Sequence, residues 1–453
     1  MIFNKGVFSM SPGVLSLIAL LISVIFIIYL TAKVKMNAFI VLILACILYA
    51  AMVRMPFESV ITNIHKGFGN TLGYIGIVII AGTIMGTILE KTGAAYSMTN
   101  FILKLVSKRF PNLALSIAGY ITSIAVFCDS GFVILNSINK SLAKRSKLSI
   151  TVTSVSLATG LFASHCLIPP ATGPIAAAQI IGANIGGLIL VGGFVAIFAM
   201  FTGFLWATFF AKRYYVEPNI DDADLETIEK LKSLPSPFKS FLPIFIPILL
   251  ILASSLTNPK LNLLPPGEYV KILNFLGDPG NALIIGVFVS LTLVKKEMLK
   301  TAVNEWFTEG VKRAALIIAI TGAGGAFGQI LKVSPIGDFL GTTLATWNIG
   351  IFLPFIIAAA LKTAQGSSTV ALLTAASIMS PLIATLGLNP ILTVAAIGAG
   401  AMTFSHANDS YFWVVTQFSN MEASLSYRVF SIATLLEGSA AMIVIFILSF
   451  FIH

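Results

Sequence analysis

Four short polar clusters interrupt a chain that otherwise avoids water. The densest reads Ser405-His406-Ala407-Asn408-Asp409-Ser410. Burying so many polar groups is costly unless they line a cavity or pair with one another. Asp409 and His406 are candidate proton carriers, because carboxylate and imidazole are the side chains that a buried site most readily switches between charged and neutral. For His406 alone, an imidazole satisfied inside the core is an equally good reading. A second cluster reads Ser164-His165-Cys166-Leu167-Ile168-Pro169-Pro170-Ala171-Thr172-Gly173-Pro174. Its prolines and glycine must open any helix, since proline lacks the donor and clashes with the preceding turn. The freed backbone groups, with Ser164, His165 and Thr172, suit a polar solute. The alternative is a kink satisfied by neighbouring helices.

The remaining clusters are Cys128-Asp129-Ser130-Gly131 and Gln365-Gly366-Ser367-Ser368-Thr369. Hydroxyls, a side-chain amide and glycine-exposed backbone suit a polyhydroxylated ligand, and N–H groups at helix starts suit a carboxylate. Lys362 either neutralises a substrate carboxylate or pairs permanently with Asp129 or Asp409, as buried charges usually do. The candidate substrate set is therefore Ser130, Gly131, Ser164, His165, Thr172, Gln365, Gly366, Ser367, Ser368, Thr369, Ser405, His406 and Asn408. The candidate proton-coupling set is Asp129, Asp409, His165 and His406, with Lys362. No His-Glu-x-x-His zinc motif occurs, and neither a metal nor a cofactor is expected. An intramembrane enzyme using Asp129 and Asp409 as a pair, or a passive channel, are the remote alternatives.

The elements that hold these clusters must lie in a lipid bilayer. Of 453 residues, 57% are hydrophobic and only 10% charged, far below the charged share that covers a soluble domain. The apolar runs are roughly 20 residues long, the length that crosses a bilayer core. A globular catalytic domain outside the membrane has no room, so an enzyme is not expected. The net charge of +10 fits the Lys/Arg excess of cytoplasmic loops rather than nucleic-acid binding. Cys46, Cys128 and Cys166 all lie in apolar segments, which implies no disulfide framework. The first apolar run, Pro12 to Thr31, is long enough to stay as an anchor, and no cleavable leader is expected.

Apolar runs place spans near 12–32, 37–53, 70–89, 150–182 and 187–211 in the first half. The second half has 241–257, 281–294, 313–331, 390–419 and 429–451. Regions 113–139 and 350–384 are broken by polar clusters at mid-depth. Basic clusters flank the first on both sides (Lys104, Lys108, Arg109; Lys140, Lys144, Arg145, Lys147), so a hairpin entering from the cytoplasm keeps both inside. The flanks of the second carry no charge, which fits a hairpin entering from outside. Irregular backbone is tolerated at such depth only inside protein or beside a wet cavity. Each half then crosses five times, which inverts one relative to the other and puts both termini outside.

The halves also resemble each other. Gly67, Gly82, Gly86, Leu89 and Ser164-His165 recur as Gly310, Gly324, Gly328, Leu331 and Ser405-His406, in the same order and at nearly one offset. The expected organisation is an N-terminal repeat at 1–211, an acidic cytoplasmic linker at 212–240 and a C-terminal repeat at 241–453. The fold class is thus an all-α polytopic membrane protein of two inverted repeats, each with a re-entrant hairpin and a broken transmembrane helix, a layout of secondary transporters. Thr321-Gly322-Ala323-Gly324-Gly325-Ala326-Phe327-Gly328 looks superficially like a dinucleotide loop, but close helix packing through small residues is the better reading.

Several stretches together resemble the gluconate permease (GntP) family of proton symporters, within the ion-transporter superfamily. They are Gly82–Ala95, Asp129–Leu135, Ser164–Ala178, Thr321–Gly328, Ala364–Thr369 and Ser405–Trp413. The resemblance implies a bacterial inner-membrane symporter for gluconate or a related hydroxy or amino acid. It implies a dimerising scaffold part and a transport part carrying the hairpins and broken helices. The chain departs from the family pattern at Pro169–Pro174, at Lys362 in place of arginine, and at Tyr411 in place of glycine. A tyrosine there would narrow the pocket.

Overall fold

Short oxygen-bearing side chains mark where many helices begin. Ser11, Asn37, Ser149, Asn184, Ser236, Asp278 and Asn389 each accept a hydrogen bond from a backbone N–H of the following first turn. Proline follows Ser11, Ser236, Asp278 and Asn389 at the first helical position, where its missing donor removes no helix bond. The computed structural model describes residues 11–106, 110–219, 234–257, 267–336, 350–407 and 409–452, apart from the side chains of Ala32, Tyr74, Ile75 and Gln365. Lys108, Arg109, Asn408 and most of the expected linker, 220–233, lie outside the described residues.

Among the described residues every regular element is helical. The first half contains α1 (Pro12–Ile28), α2 (Ala38–Met52), α3 (Phe57–Lys91), α4 (Ala94–Leu105), α5 (Pro111–Thr122), α6 (Cys128–Arg145), α7 (Ile150–Leu167), α8 (Thr172–Ile181) and α9 (Ile185–Phe209). The second contains α10 (Pro237–Ser255), α11 (Glu268–Gly277), α12 (Pro279–Leu291), α13 (Phe307–Lys332), α14 (Phe352–Gln365), α15 (Ser368–Met379), α16 (Pro390–Ala401), α17 (Ser410–Phe418) and α18 (Ile432–Leu448). One order occurs twice: a long helix, two interrupted pairs, a long helix. The sets are α3, α5–α6, α7–α8, α9 and α13, α14–α15, α16–α17, α18.

Six of the described helices are long and apolar enough to cross a bilayer, or eight if each of two bent pairs is one span. Ten crossings were expected from apolar runs. The two that fall short are α2, with 15 residues, and the pair α16–α17, whose first part has only 12. The sequence reading also passed over real helices. Residues 57–69, α4 and α11 mix charged and apolar side chains, so no unbroken apolar run marks them. The breaks are offset from the expected ones. The first hairpin turns at 123–127, and Cys128–Gly131 form the first turn of α6. The broken helices part at 168–171 and between Ala401 and Ser410.

Helices α3 and α13 pack antiparallel, with Gly67 beside Gly325 and Ile84 beside Gly310. At one end a charged network joins them: Arg313 bonds Glu90 at 2.7 Å and Glu309 at 2.6 Å, and Lys91 meets Glu309 at 3.0 Å. Residues 321–328 lie within α13, so no dinucleotide loop exists. Gly86 of α3 lets the first hairpin approach: a Cβ there would stand 2.6 Å from the Ala125 carbonyl oxygen. In α13, Gly328, with Gly324, faces Ser377 of α15. Helix α7 is buried along its whole length between α5, α6 and α9. The interrupted pairs exchange partners between halves, with α6 against α17 and α15 against α8.

Candidate functional site

The first half builds a cleft from three elements. The Ser123 hydroxyl donates to the Val126 carbonyl at 2.9 Å, which folds the chain back so that Phe127 leads into α6. In the first broken helix, Ala171 leads into α8. Neither helix start has a side-chain cap. Their first-turn N–H groups therefore keep the positive end of each helix dipole available to an anion. Phe127, Ala171, His165 and Thr172 line this cleft with Gly82 and Met85 of α3. The Thr172 hydroxyl is buried and has no hydrogen-bond partner among the described residues. About 20 Å³ is open to the centre of a water molecule, room for roughly one water.

The second half builds a closed cluster. Lys362, fully buried, places its Nζ 2.5 Å from Asp409 Oδ2 and donates also to the Gly366 carbonyl. Gly366 reaches this geometry at φ +91°, a backbone region that favours glycine. The Ser405 hydroxyl donates to the same Asp409 oxygen at 2.5 Å, while Asp409 Oδ1 caps α17 by accepting the Tyr411 N–H at 3.1 Å. Ser367 likewise caps α15 by accepting the Val370 N–H. The Phe162 ring lies 5.3 Å from the ammonium, a cation–π distance. A His406 ring nitrogen sits 2.8 Å from the Thr363 carbonyl oxygen.

The two sites touch. Asp129, in the first turn of α6, lies within electrostatic reach of Lys362 and Asp409, and the Ser410 hydroxyl is 3.5 Å from its Oδ1. Ser368 lies near the Cys166 thiol, where the second hairpin meets α7. Asn139, Ser154 and Ser419 form a chain of 2.7 Å hydrogen bonds from α6 through α7 to the end of α17.

The expected site residues thus divide. His165 and Thr172 line the cleft. Lys362, Gly366, Ser405 and Asp409 form the closed cluster, with Ser367 and Ser368 beside it, and His406 meets the Thr363 carbonyl. Asp129, Ser130 and Thr369 are half-buried. Lys362 pairs with Asp409, one of the two partners expected for it. Two expected ligands point elsewhere. Ser164 donates to the Tyr120 carbonyl at 2.6 Å, a staple between α7 and α5. Gly131 has its N–H taken by the Phe127 carbonyl, and it packs on Leu161. Asn408 and the Gln365 side chain lie outside the described residues. Tyr411 does not narrow the cleft. Its ring is buried among Phe132, Phe162 and Phe430, and its hydroxyl donates to the Ala158 carbonyl at 2.9 Å. Ser123, Phe127 and Met85 were missed, since nothing in their local sequence sets them apart from ordinary span residues.

Interrupted helices meeting around polar groups, inside a bundle of apolar spans, define a membrane transport protein. The chain belongs to the GntP family of permeases: the family model matches residues 15–451. It is 36% identical to an uncharacterized permease of Haemophilus influenzae, over 88% of this chain and 85% of that one. It is 29% identical to a gluconate permease of Pseudomonas aeruginosa, over 98% and 99% of the two chains. It is 31% identical to the D-serine transporter DsdX of Escherichia coli, over 96% and 98%. Among solved structures, MtrF of Neisseria gonorrhoeae shares the fold with a TM-score of 0.68 at 14% identity, covering 94% of this chain and 97% of that one. The family and these relatives are permeases and transporters, not enzymes.

Proposed function

We propose that the chain is a secondary active transporter that carries gluconate or a related small sugar or hydroxy acid, together with a proton, across the bacterial inner membrane. One observation carries this reading. Two uncapped helix starts, the unpartnered Thr172 hydroxyl and His165 converge on one cleft at the broken segments. Oriented N–H groups bind a carboxylate, and hydroxyl and imidazole bind its hydroxyl groups. A six-carbon acid needs more space than the cleft now offers, so binding requires the hairpin to draw back from α3. The small volume favours a second reading on the same machine, a short acid such as D-serine or glycerate.

The antiparallel contact of the repeat mates α3 and α13 supports inverted halves at 1–211 and 241–453, with both termini outside. The glycine-smoothed faces of α3 and α13 toward the hairpins support a scaffold and a transport part, in a homodimer as the family likeness implies. Asp129 and His165 are the proton carriers this reading favours, since Asp409 is held by Lys362. Uptake of labelled gluconate, D-serine and glycerate into proteoliposomes, with and without an imposed pH gradient, tests it. Accumulation of one acid that follows the proton gradient is the expected result. Uptake indifferent to both proton and sodium gradients removes symport.

A further inference from the structure

The chain holds one more acid at depth, outside both sites. Glu437 lies in the middle of α18 with no exposed surface, and neither carboxyl oxygen has a hydrogen-bond partner among the described residues. A bare carboxylate isolated from water inside the bilayer is far costlier than the neutral acid. Nothing nearby offsets that cost. Helix α18 packs on α9 and α16, and neither carries a charged or titratable side chain. It also touches α7, α14 and the preceding turn 427–431, whose Tyr427 and Arg428 are exposed. The titratable groups in electrostatic reach are Cys166 of α7 and Tyr411 of α17, both neutral near pH 7. Lys362 of α14 is engaged by Asp409, and His165 of α7 lines the cleft.

Its position links it to the second break. Thr434, one turn earlier on the same face, accepts the Ser405 N–H at 3.0 Å, and Ser405 in turn holds Asp409. The neighbouring Gly438 sits so close that a Cβ would stand 2.6 Å from the Ala399 carbonyl oxygen and 2.5 Å from Thr403. This contact packs α18 directly on α16 and the start of the break, next to the acid.

We propose that Glu437 is a proton-binding site coupled to the second break. The protonated acid is the form in the described conformation. When the break shifts and water enters, the carboxyl O–H gives its proton to that water and leaves a carboxylate, which takes a proton back from the opposite side. The coupling role rests on the symport reading above; the buried neutral acid does not.

The test uses full-length protein in proteoliposomes and Glu437→Gln, which keeps the shape and cannot ionise. With whichever of labelled gluconate, D-serine or glycerate the wild type exchanges, the variant is expected to keep counterflow within about twofold and to lose roughly tenfold or more of accumulation driven by a pH gradient. Wild-type accumulation in the variant overturns the proposal, and so does equal loss of counterflow. A wild type that ignores the pH gradient overturns symport and, with it, the coupling role. Infrared spectra separate that failure from this one: the wild type is expected to show a protonated-carboxyl band absent from Glu437→Gln, and a band unchanged in the variant overturns the assignment of the neutral acid. If the variant does not fold, an apolar carbodiimide, which reacts with protonated acids, decides on the wild type. Labelling of the Glu437 peptide that falls as pH rises is expected, and no label there overturns the proposal.

Discussion

The two halves place the same order of elements around opposite chemistry. In the first half, α6 and α8 begin without caps, and the Thr172 hydroxyl has no partner. In the second, α15 and α17 begin with their own caps, Ser367 and Asp409, and the ion pair closes on itself. The first half thus leaves polar groups open at its cleft, while the cluster at the second break binds its own. Sequence resemblance between the halves hides this, because a broken helix looks alike whether its ends are capped or bare.

Breaking the closed cluster should have the largest effect. Lys362→Ala strands Asp409 and is expected to cost about 3–5 kcal/mol and to reduce uptake to background. Replacing both partners, Lys362→Met with Asp409→Leu, should recover much of the thermal stability in detergent without recovering uptake. Recovery of uptake by the pair would show that the charges are dispensable to transport.

The packing of the hairpins sharpens the contrast next. Gly86→Val drives a side chain into the Ala125 carbonyl, a backbone group with little freedom, and should cost about 1–3 kcal/mol. Gly324→Ala meets the Ser377 hydroxyl, which can rotate away, so its melting temperature should fall less. An equal fall for both would show that the two approaches are equally unyielding.

Caps give smaller and opposite signatures. Thr172→Val should leave the melting temperature unchanged or raised, because an unsatisfied buried hydroxyl is removed, while the KM for the transported acid rises roughly fivefold to tenfold. Ser367→Ala should cost about 1 kcal/mol with KM unchanged. If the two variants exchange these signatures, the solute sits in the second half. The smallest effect is expected for Tyr411→Phe, about 1 kcal/mol of stability from the lost bond to Ala158. Its substrate preference in an uptake panel should stay the same, since the ring lies away from the cleft.

Much of this was legible before any coordinates. Runs of apolar residues set which segments cross lipid, since a chain inside a bilayer has no other solvent for its side chains. Prolines 169, 170 and 174 and the cluster 405–410 required broken helices at those places. What remained hidden was which polar atoms meet. Lys362 had two candidate partners in sequence, and only the turn at Gly366 brings its ammonium to Asp409. Ser164 and Thr172 look equivalent in one motif, yet the first is spent on Tyr120 and the second has no partner among the described residues. Glu437 sits in an apolar run that reads as an ordinary span. A hydrogen bond is decided by distances of a few tenths of an ångström between segments tens to hundreds of residues apart, and no local pattern of residues carries that information. Composition and periodicity determine the solvent each segment must have; the packed structure alone determines which groups find a partner in it.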